Sequence, residues 1–196
     1  KRICYIYREA NEYIRKNQIK YAYICYCKQK EKRYMINTTR IIQKYYTEDT
    51  ELYNILMLHS QHVKQKVLDV CDKHPELQVD RQFMEEACML HDIGIFLCDA
   101  PSIQCFGSHQ YVEHGYLGAD LIRAEGLPRH ALVCERHTGV GISLQSVIER
   151  NLPLPHRDFV PVTVEEQMIC YADKFFSKSK LDSPHSIEHI LQQLSR

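Results

Sequence analysis

The first 34 residues of this 196-residue chain contain no Leu, Val, Gly, Pro, Ser, Thr or Asp, and all 17 leucines lie beyond them. They carry ten Lys or Arg against three Asp or Glu, a net charge of +7, and seven of the 13 tyrosines. A segment without Leu or Val has little with which to build a core. We expect residues 1–34 to be an atypical basic, Tyr-rich segment that is not native, with Met35 as the natural start. Two alternatives stay open: a basic tail for anionic surfaces, or a helix docked on the rest of the chain.

Long apolar runs are also missing. No stretch of about 18 apolar residues occurs, which predicts that no transmembrane helix is present. The N-terminus lacks the apolar stretch and small-residue cleavage site of a secretory signal. The nine cysteines include no Cys-x-x-Cys pair, which disfavours a thiolate zinc site and fits reduced thiols. These features predict a cytoplasmic protein without a membrane partner.

Residues 35–196 differ sharply in charge from the segment before them. They carry 15 Lys or Arg against 22 Asp or Glu, a net charge of −7. A chain of this length can bury roughly two-thirds of its unfolded surface, enough for one core. An acidic surface disfavours contact with polyanions. The composition predicts one folded domain over 35–196 that does not bind long nucleic acids, and it leaves the oligomeric state open.

Apolar residues in this domain recur at helical spacing, and no alternating run is long enough for a sheet. Capping residues, glycines and prolines divide the pattern into segments. The predicted helices cover about 48–73, 80–92, 111–125, 128–137, 143–150, 163–176 and 184–194, with irregular chain at 95–109 and 151–162. The fold class predicted is all-α, a bundle of about six to seven helices.

Polar side chains interrupt the apolar faces of these helices. His59 lies between Leu56 and Val63 on one stripe, and Asp173 shares a stripe with Ile169. A carboxylate turned towards a core is costly unless a cation compensates it. The other polar residues aimed inward are His91, Asp92, His114 and His137. Helix bundles build metal sites from ligands on facing helices, and mixed imidazole and carboxylate ligands suit Fe, Mn, Zn, Co or Ni.

These residues belong to sequence motifs that resemble those of a known protein family. Leu-His-Asp-Ile-Gly at 90–94, with His59 before it and Asp173 after it, resembles the HD superfamily of metal-dependent phosphohydrolases. Residues 114–123 and 135–141 resemble the uncharacterised HDIG-type subgroup of that superfamily. The resemblance covers about residues 50–177 and implies the HD-domain helical bundle.

The resemblance implies a set of metal ligands. His59, His91, Asp92 and Asp173 match the family's metal-binding positions, and His114 and His137 would support a second metal or hold a substrate phosphate. Six ligands exceed what one ion with open water positions needs, so we expect two divalent ions. The donor set does not distinguish Fe, Mn, Zn, Co, Ni and Mg.

The activity implied is hydrolysis of a small phosphorylated substrate, a phosphomonoester or phosphodiester such as a nucleotide, by a metal-activated water. Asp92, His114 and His137 are the expected catalytic residues. Ile95 stands where such strings often carry a Lys, so the candidate substrate contacts lie elsewhere, at His109, Arg136, Thr138 and Lys174. Two alternatives remain: a di-iron oxygenase on the same fold, and a non-catalytic nucleotide-binding module.

Overall fold

The structure, a computed structural model, describes residues 35–180 and 183–194. Helices α1 to α8 cover Thr38–Ile42, Glu51–Lys73, Arg81–Leu90, His114–Ala124, Pro128–Arg136, Leu144–Glu149, Val164–Asp173 and Ile187–Leu194. Short 3-10 helices lie at Pro75–Leu77, Ile95–Leu97, Pro101–Ile103 and Tyr111–Glu113.

The prediction of a mainly helical fold is confirmed. The described residues contain eight α-helices rather than six or seven, because the short helix Thr38–Ile42 precedes the first predicted segment. In the part of the chain that the structure covers, no helix has both the length and the apolar character that crossing a bilayer requires. The predictions for residues 1–34 lie outside the described residues.

One small sheet corrects the all-α prediction. Strand β1, Asp99–Ala100, pairs antiparallel with β2, Cys105–Phe106, and Ala100 lies opposite Cys105. Both strands fall in the segment predicted to be irregular. Strands of two residues are too short to produce the alternating pattern by which a sequence indicates a strand, so the sequence carried no signal for them.

Side-chain caps determine where three of the main helices begin. The side chains of Thr50, Asp80 and Thr163 each accept a hydrogen bond of 3.2–3.3 Å from the backbone N–H three residues later. Such caps satisfy N–H groups that have no partner within the first helical turn. As a result α2, α3 and α7 begin at, or within three residues of, their predicted starts.

The main hydrophobic core lies between α2, α3, α5 and α7. Its buried residues include Val63, Val67, Phe83, Met84, Ala87, Cys88, Val133, Met168, Ile169 and Ala172. On α2 the buried positions recur every three or four residues, which is the spacing of one helix face. His59 lies on that face and is fully buried, so its imidazole points into the protein.

A buried carboxylate on α5 binds arginine side chains from the irregular segment 151–162 and from α4. Glu135 on α5 accepts two hydrogen bonds from Arg157, of 2.9 and 3.0 Å, and a third from Arg123 on α4. Burial alone would raise the pKa of Glu135, but the two guanidinium groups hold it below its ordinary value. Glu135 therefore remains charged and joins three parts of the chain.

We expect Glu135→Gln to lower the free energy of unfolding by about 1–2 kcal/mol at pH 7, since both arginine side chains are more than a third exposed and water screens the pairs. A lowered native pKa stabilises the fold at pH values above the unfolded-state pKa, near 4.5, and the benefit disappears as the pH falls through the native value. Denaturant titrations at pH 7 and pH 3 measure this. If Glu135→Gln lowers the free energy of unfolding by as much at pH 3 as at pH 7, the prediction is contradicted. Glu149→Gln, at an exposed position, is the control.

Candidate metal centre

Three helices end at the same place in the fold. His91 and His137 are the C-terminal cap residues of α3 and α5, and Asp173 is the last residue of α7. A helix C-terminus carries partial negative charge from carbonyl groups that lack helical partners. Three such ends beside each other favour a cation.

Three of the four histidine rings at the centre are held by backbone carbonyl groups. In His91, His114 and His137, Nδ1 lies 2.7, 2.5 and 2.7 Å from the carbonyl oxygen of the residue three positions earlier. Because a carbonyl only accepts, Nδ1 carries the proton and donates it there. The Nε2 atom of each ring is thereby left to face the centre, as in metal-binding histidines whose second nitrogen is hydrogen-bonded.

The first ligand group consists of His59, His91, Asp92 and Asp173, all buried. His59 Nε2 lies 3.0 Å from Asp92 Oδ2, 3.0 Å from Asp173 Oδ1 and 3.3 Å from His91 Nε2. His91 Nε2 lies 3.0 Å from Asp92 Oδ2 and 3.6 Å from Asp173 Oδ1. The four side chains thus surround one small volume.

The second ligand group consists of Asp92, His114 and His137, also buried. Asp92 Oδ1 lies 3.2 Å from His114 Nε2 and 3.3 Å from His137 Nε2, and these ring nitrogens are 3.1 Å apart. Asp92 is therefore common to both groups and presents a different oxygen to each. All six residues predicted as metal ligands are brought together in this way.

The donor atoms fit a metal ion. Bonds of about 2.0–2.2 Å at angles near 90–110° place neighbouring ligand atoms about 2.8–3.6 Å apart, which matches the distances in both groups. Side-chain nitrogens lie within 3.3 Å of the buried Asp92 oxygens, yet neither oxygen accepts a hydrogen bond of normal geometry. The two groups are buried His and Asp clusters that can hold metal ions.

Burial and charge shift the histidine pKa values in opposite directions. Burial alone would lower the pKa of His91, but Asp92 and Asp173 raise it to about 9. Burial lowers the pKa of His137 to about 4 although Asp92 opposes the shift. Without a metal His91 is thus protonated at neutral pH, and a metal must displace that proton because only a deprotonated ring nitrogen binds it.

A lysine that the sequence analysis did not single out also reaches the centre. Lys178 Nζ lies 2.5 Å from Asp92 Oδ2, and its side chain is only 11% exposed. It lies beyond the end of α7, in a turn closed by a 3.2 Å hydrogen bond from Lys180 N to the Ser177 carbonyl oxygen. No spacing rule relates Lys178 to Asp92, 86 positions earlier, so the sequence held no signal for this contact.

The four predicted substrate contacts lie in different surroundings. Lys174 lines a cavity of about 430 Å³ beside the first ligand group and donates a 2.9 Å hydrogen bond to Asp173 Oδ2. Arg136 is instead paired with the buried Glu166 at 3.0 Å. His109 is 43% exposed and lies 3.2 Å from a Glu113 oxygen, whereas Thr138 is half-buried near Gly115. Among the four, only Lys174 lines this cavity.

Comparison with known proteins gives partial matches. No protein-family model and no solved structure matches the chain. Over 109 residues it is 34% identical to an uncharacterised protein of Methanocaldococcus jannaschii, a match that covers 55% of this chain and 57% of that protein. It is 30% identical over 126 residues to a tRNA (cytidine(56)-2'-O)-methyltransferase of Thermoplasma volcanium, and 26% identical over 129 residues to one of Picrophilus torridus. These two matches cover 64% and 65% of this chain, but only 32% and 33% of the two methyltransferases.

The names of these relatives correct the predicted activity. Two of them are methyltransferases for tRNA, so the predicted phosphohydrolase function and enzyme class are wrong, and the alternatives of an oxygenase or a nucleotide-binding module gain no support. The predicted partner, a small phosphorylated molecule with no long nucleic acid, is wrong on the same finding. The prediction that the domain does not bind long nucleic acids relied on its net charge. Net charge averages over a whole surface, whereas contact with RNA depends on the local arrangement of charge.

Proposed function

We propose that this chain is an HD-type helical domain that binds divalent metal at its His and Asp centre and contacts tRNA in the course of tRNA modification. The observation that carries the metal part is the sharing of Asp92, whose two buried oxygens face two separate groups of ligands. The names of the relatives support the tRNA part. Because the chain matches about a third of each methyltransferase, its role is proposed as part of a larger activity.

Two ions account best for the donor set. His59, His91 and Asp173 would hold the first ion, His114 and His137 would hold the second, and Asp92 would bridge them. The nitrogen and oxygen donors, with no thiolate among them, suit Fe, Mn, Zn, Co or Ni. Such ions supply positive charge that binds and polarises an anionic oxygen.

The acidity of the domain gives the metal a further role in the proposal. Residues 35–196 carry a net charge of −7, and RNA binding is dominated by attraction to phosphate. Two divalent ions at the centre would add positive charge at one place on this acidic domain. We therefore expect tRNA binding by this chain to depend on metal.

The test is a metal analysis of the purified chain followed by tRNA binding. Mass spectrometry of the metals is expected to find divalent ions in the protein, and gel-shift titrations with a tRNA transcript should show weaker binding after EDTA treatment and recovery with added Mn²⁺ or Zn²⁺. A chain that takes up neither ion contradicts the metal part. If tRNA does not bind, or if it binds equally well with and without metal, the tRNA part is contradicted.

His114→Gln separates the two ligand groups. It leaves Asp92 and His137 alone in the second group, too few ligands to retain an ion, whereas the first group is intact. The metal content is expected to fall by one ion per chain, with no change in the far-ultraviolet circular dichroism. His74→Gln, at an exposed position, is the control and should retain both ions. Loss of all metal in the His114 variant would mean that the groups do not bind separately.

A further inference from the structure

The cavity beside the ligand groups is lined by two lysines, one aspartate, several other polar side chains and a few apolar ones. Its volume is about 430 Å³, within the range of about 300–1,000 Å³ typical of ligand pockets. Lys174 and Lys178 contribute to the wall, together with three serines, Ser102, Ser177 and Ser179. Asp173, which belongs to the first ligand group, also lines it, so the cavity and the metal centre are adjacent.

Both lysines are at present paired with metal ligands. Lys178 Nζ lies 2.5 Å from Asp92 Oδ2, and Lys174 Nζ lies 2.9 Å from Asp173 Oδ2. Two ammonium groups thus balance two carboxylates at the centre. The Tyr111 hydroxyl, another part of the cavity wall, lies beside Lys178.

A metal ion and Lys178 compete for the same oxygen. Asp92 Oδ2 lies 3.0 Å from both His59 Nε2 and His91 Nε2 and 2.5 Å from Lys178 Nζ, so a cation held by these rings would share that oxygen with Lys178. Like charges at such distances repel strongly in a buried site. A bound metal would therefore weaken the pairing of Lys178 with Asp92, and among the described residues that line the cavity the one carboxylate is Asp173, itself a metal ligand.

We propose that this cavity binds a phosphate group of an RNA, that Lys178 is its main cationic contact, and that phosphate and metal bind cooperatively. The inference rests on the proposed function for the choice of RNA. A phosphate offers several acceptor oxygens to the two ammonium groups and to the hydroxyl groups of Ser177 and Ser179. Lysine binds phosphate as a point charge. The phosphate supplies the partner that Lys178 loses to the metal, and by linkage each ligand strengthens the binding of the other.

Metal affinity, rather than activity, tests the inference. The chain is titrated with Zn²⁺ against a chromogenic chelator in chloride, in inorganic phosphate at equal ionic strength, and with a short single-stranded RNA, each corrected by a protein-free blank. Phosphate and the RNA are each expected to tighten metal binding about tenfold in the unaltered chain, within the usual range of coupling between sites.

Lys178→Met removes the competitor and the phosphate contact together. Metal should bind more tightly to this variant than to the unaltered chain in chloride, and phosphate should no longer change the affinity. A lysine with a merely structural role predicts the opposite, a weaker metal site. Lys180→Met, in the same turn at an exposed position outside this cavity, is the control and should keep the phosphate effect.

Each outcome decides between the inferences. If the chain binds no metal in any buffer, the proposed function and this inference both fail. If it binds metal with an affinity that phosphate leaves unchanged, or if Lys178→Met weakens metal binding, this inference alone is overturned. If inorganic phosphate tightens metal binding and the RNA does not, RNA is overturned as the source of the phosphate. The titration of the unaltered chain decides the matter even if the variant does not fold.

Discussion

Asp92→Asn is expected to abolish tight metal binding at both ligand groups while the helical fold persists. The substitution keeps the size of the side chain but removes its charge, and the amide nitrogen that replaces one oxygen cannot bind a metal. Both groups lose a carboxylate because each uses one Asp92 oxygen. We expect affinity to fall at least about 100-fold, since even residues that only support a metal ligand contribute 10–100-fold.

The effect is measured as metal retained per chain after dialysis and as the shift in melting temperature on adding metal. A ligand present at 100 times its Kd stabilises the folded state by about 2.7 kcal/mol, so the unaltered chain should melt at a higher temperature with metal and the variant should not. Asp99→Asn changes an exposed carboxylate at the start of β1 and is the matched control. Full metal retention by the Asp92 variant would show that this residue is not the shared ligand.

Gly94→Ala is expected to cause a large loss of stability, about 3 kcal/mol, because the added methyl group has no room. A Cβ at Gly94 would lie 2.3 Å from the carbonyl oxygen of His114 and 2.5 Å from the backbone nitrogen of Gly118, both in α4. These atoms belong to a helix backbone and cannot rotate away as a side chain can. The helix that carries His114 would have to shift, so metal binding at the second ligand group should weaken as well.

Gly126→Ala provides the comparison. Gly126 has a positive φ of 77°, and a Cβ there would meet nothing within 4 Å, so the only cost is that of the left-handed backbone, about 1–2 kcal/mol. Denaturant titration of both variants measures the difference. Equal losses in the two would mean that the contact between Gly94 and α4 is not tightly packed.

The sequence predicted the helices well where local chemistry sets their limits. Thr50, Asp80 and Thr163 are residues whose side chains accept hydrogen bonds from a first helical turn, and each stands before a helix in the structure. The strands at Asp99–Ala100 and Cys105–Phe106 could not be predicted, because they exist only through pairing between two short segments. Gly94 lies just after the helix predicted over 80–92, but its packing against α4 could be known only from the tertiary structure.

The candidate ligands were visible in the sequence because polar residues on apolar helix faces are costly without compensation. The activity could not be predicted from these ligands, because the same donor set can serve several kinds of chemistry. The names of two relatives concern tRNA methylation instead of phosphate hydrolysis. The lysine at Asp92 was also missed. The cations named from the sequence were Arg136 and Lys174, whereas Lys178 reaches Asp92 from a turn far along the chain.

What the amino-acid order determined by itself is the succession of helices and the inward placement of His59 and Asp173, since periodicity and capping act over a few residues. Only the tertiary structure decided that Asp92 faces two ligand groups at once, that Lys178 shares one of its oxygens, and that a cavity opens beside them. These relations join atoms from helices that are distant in the chain, and their distances depend on how the helices pack rather than on any spacing between residues.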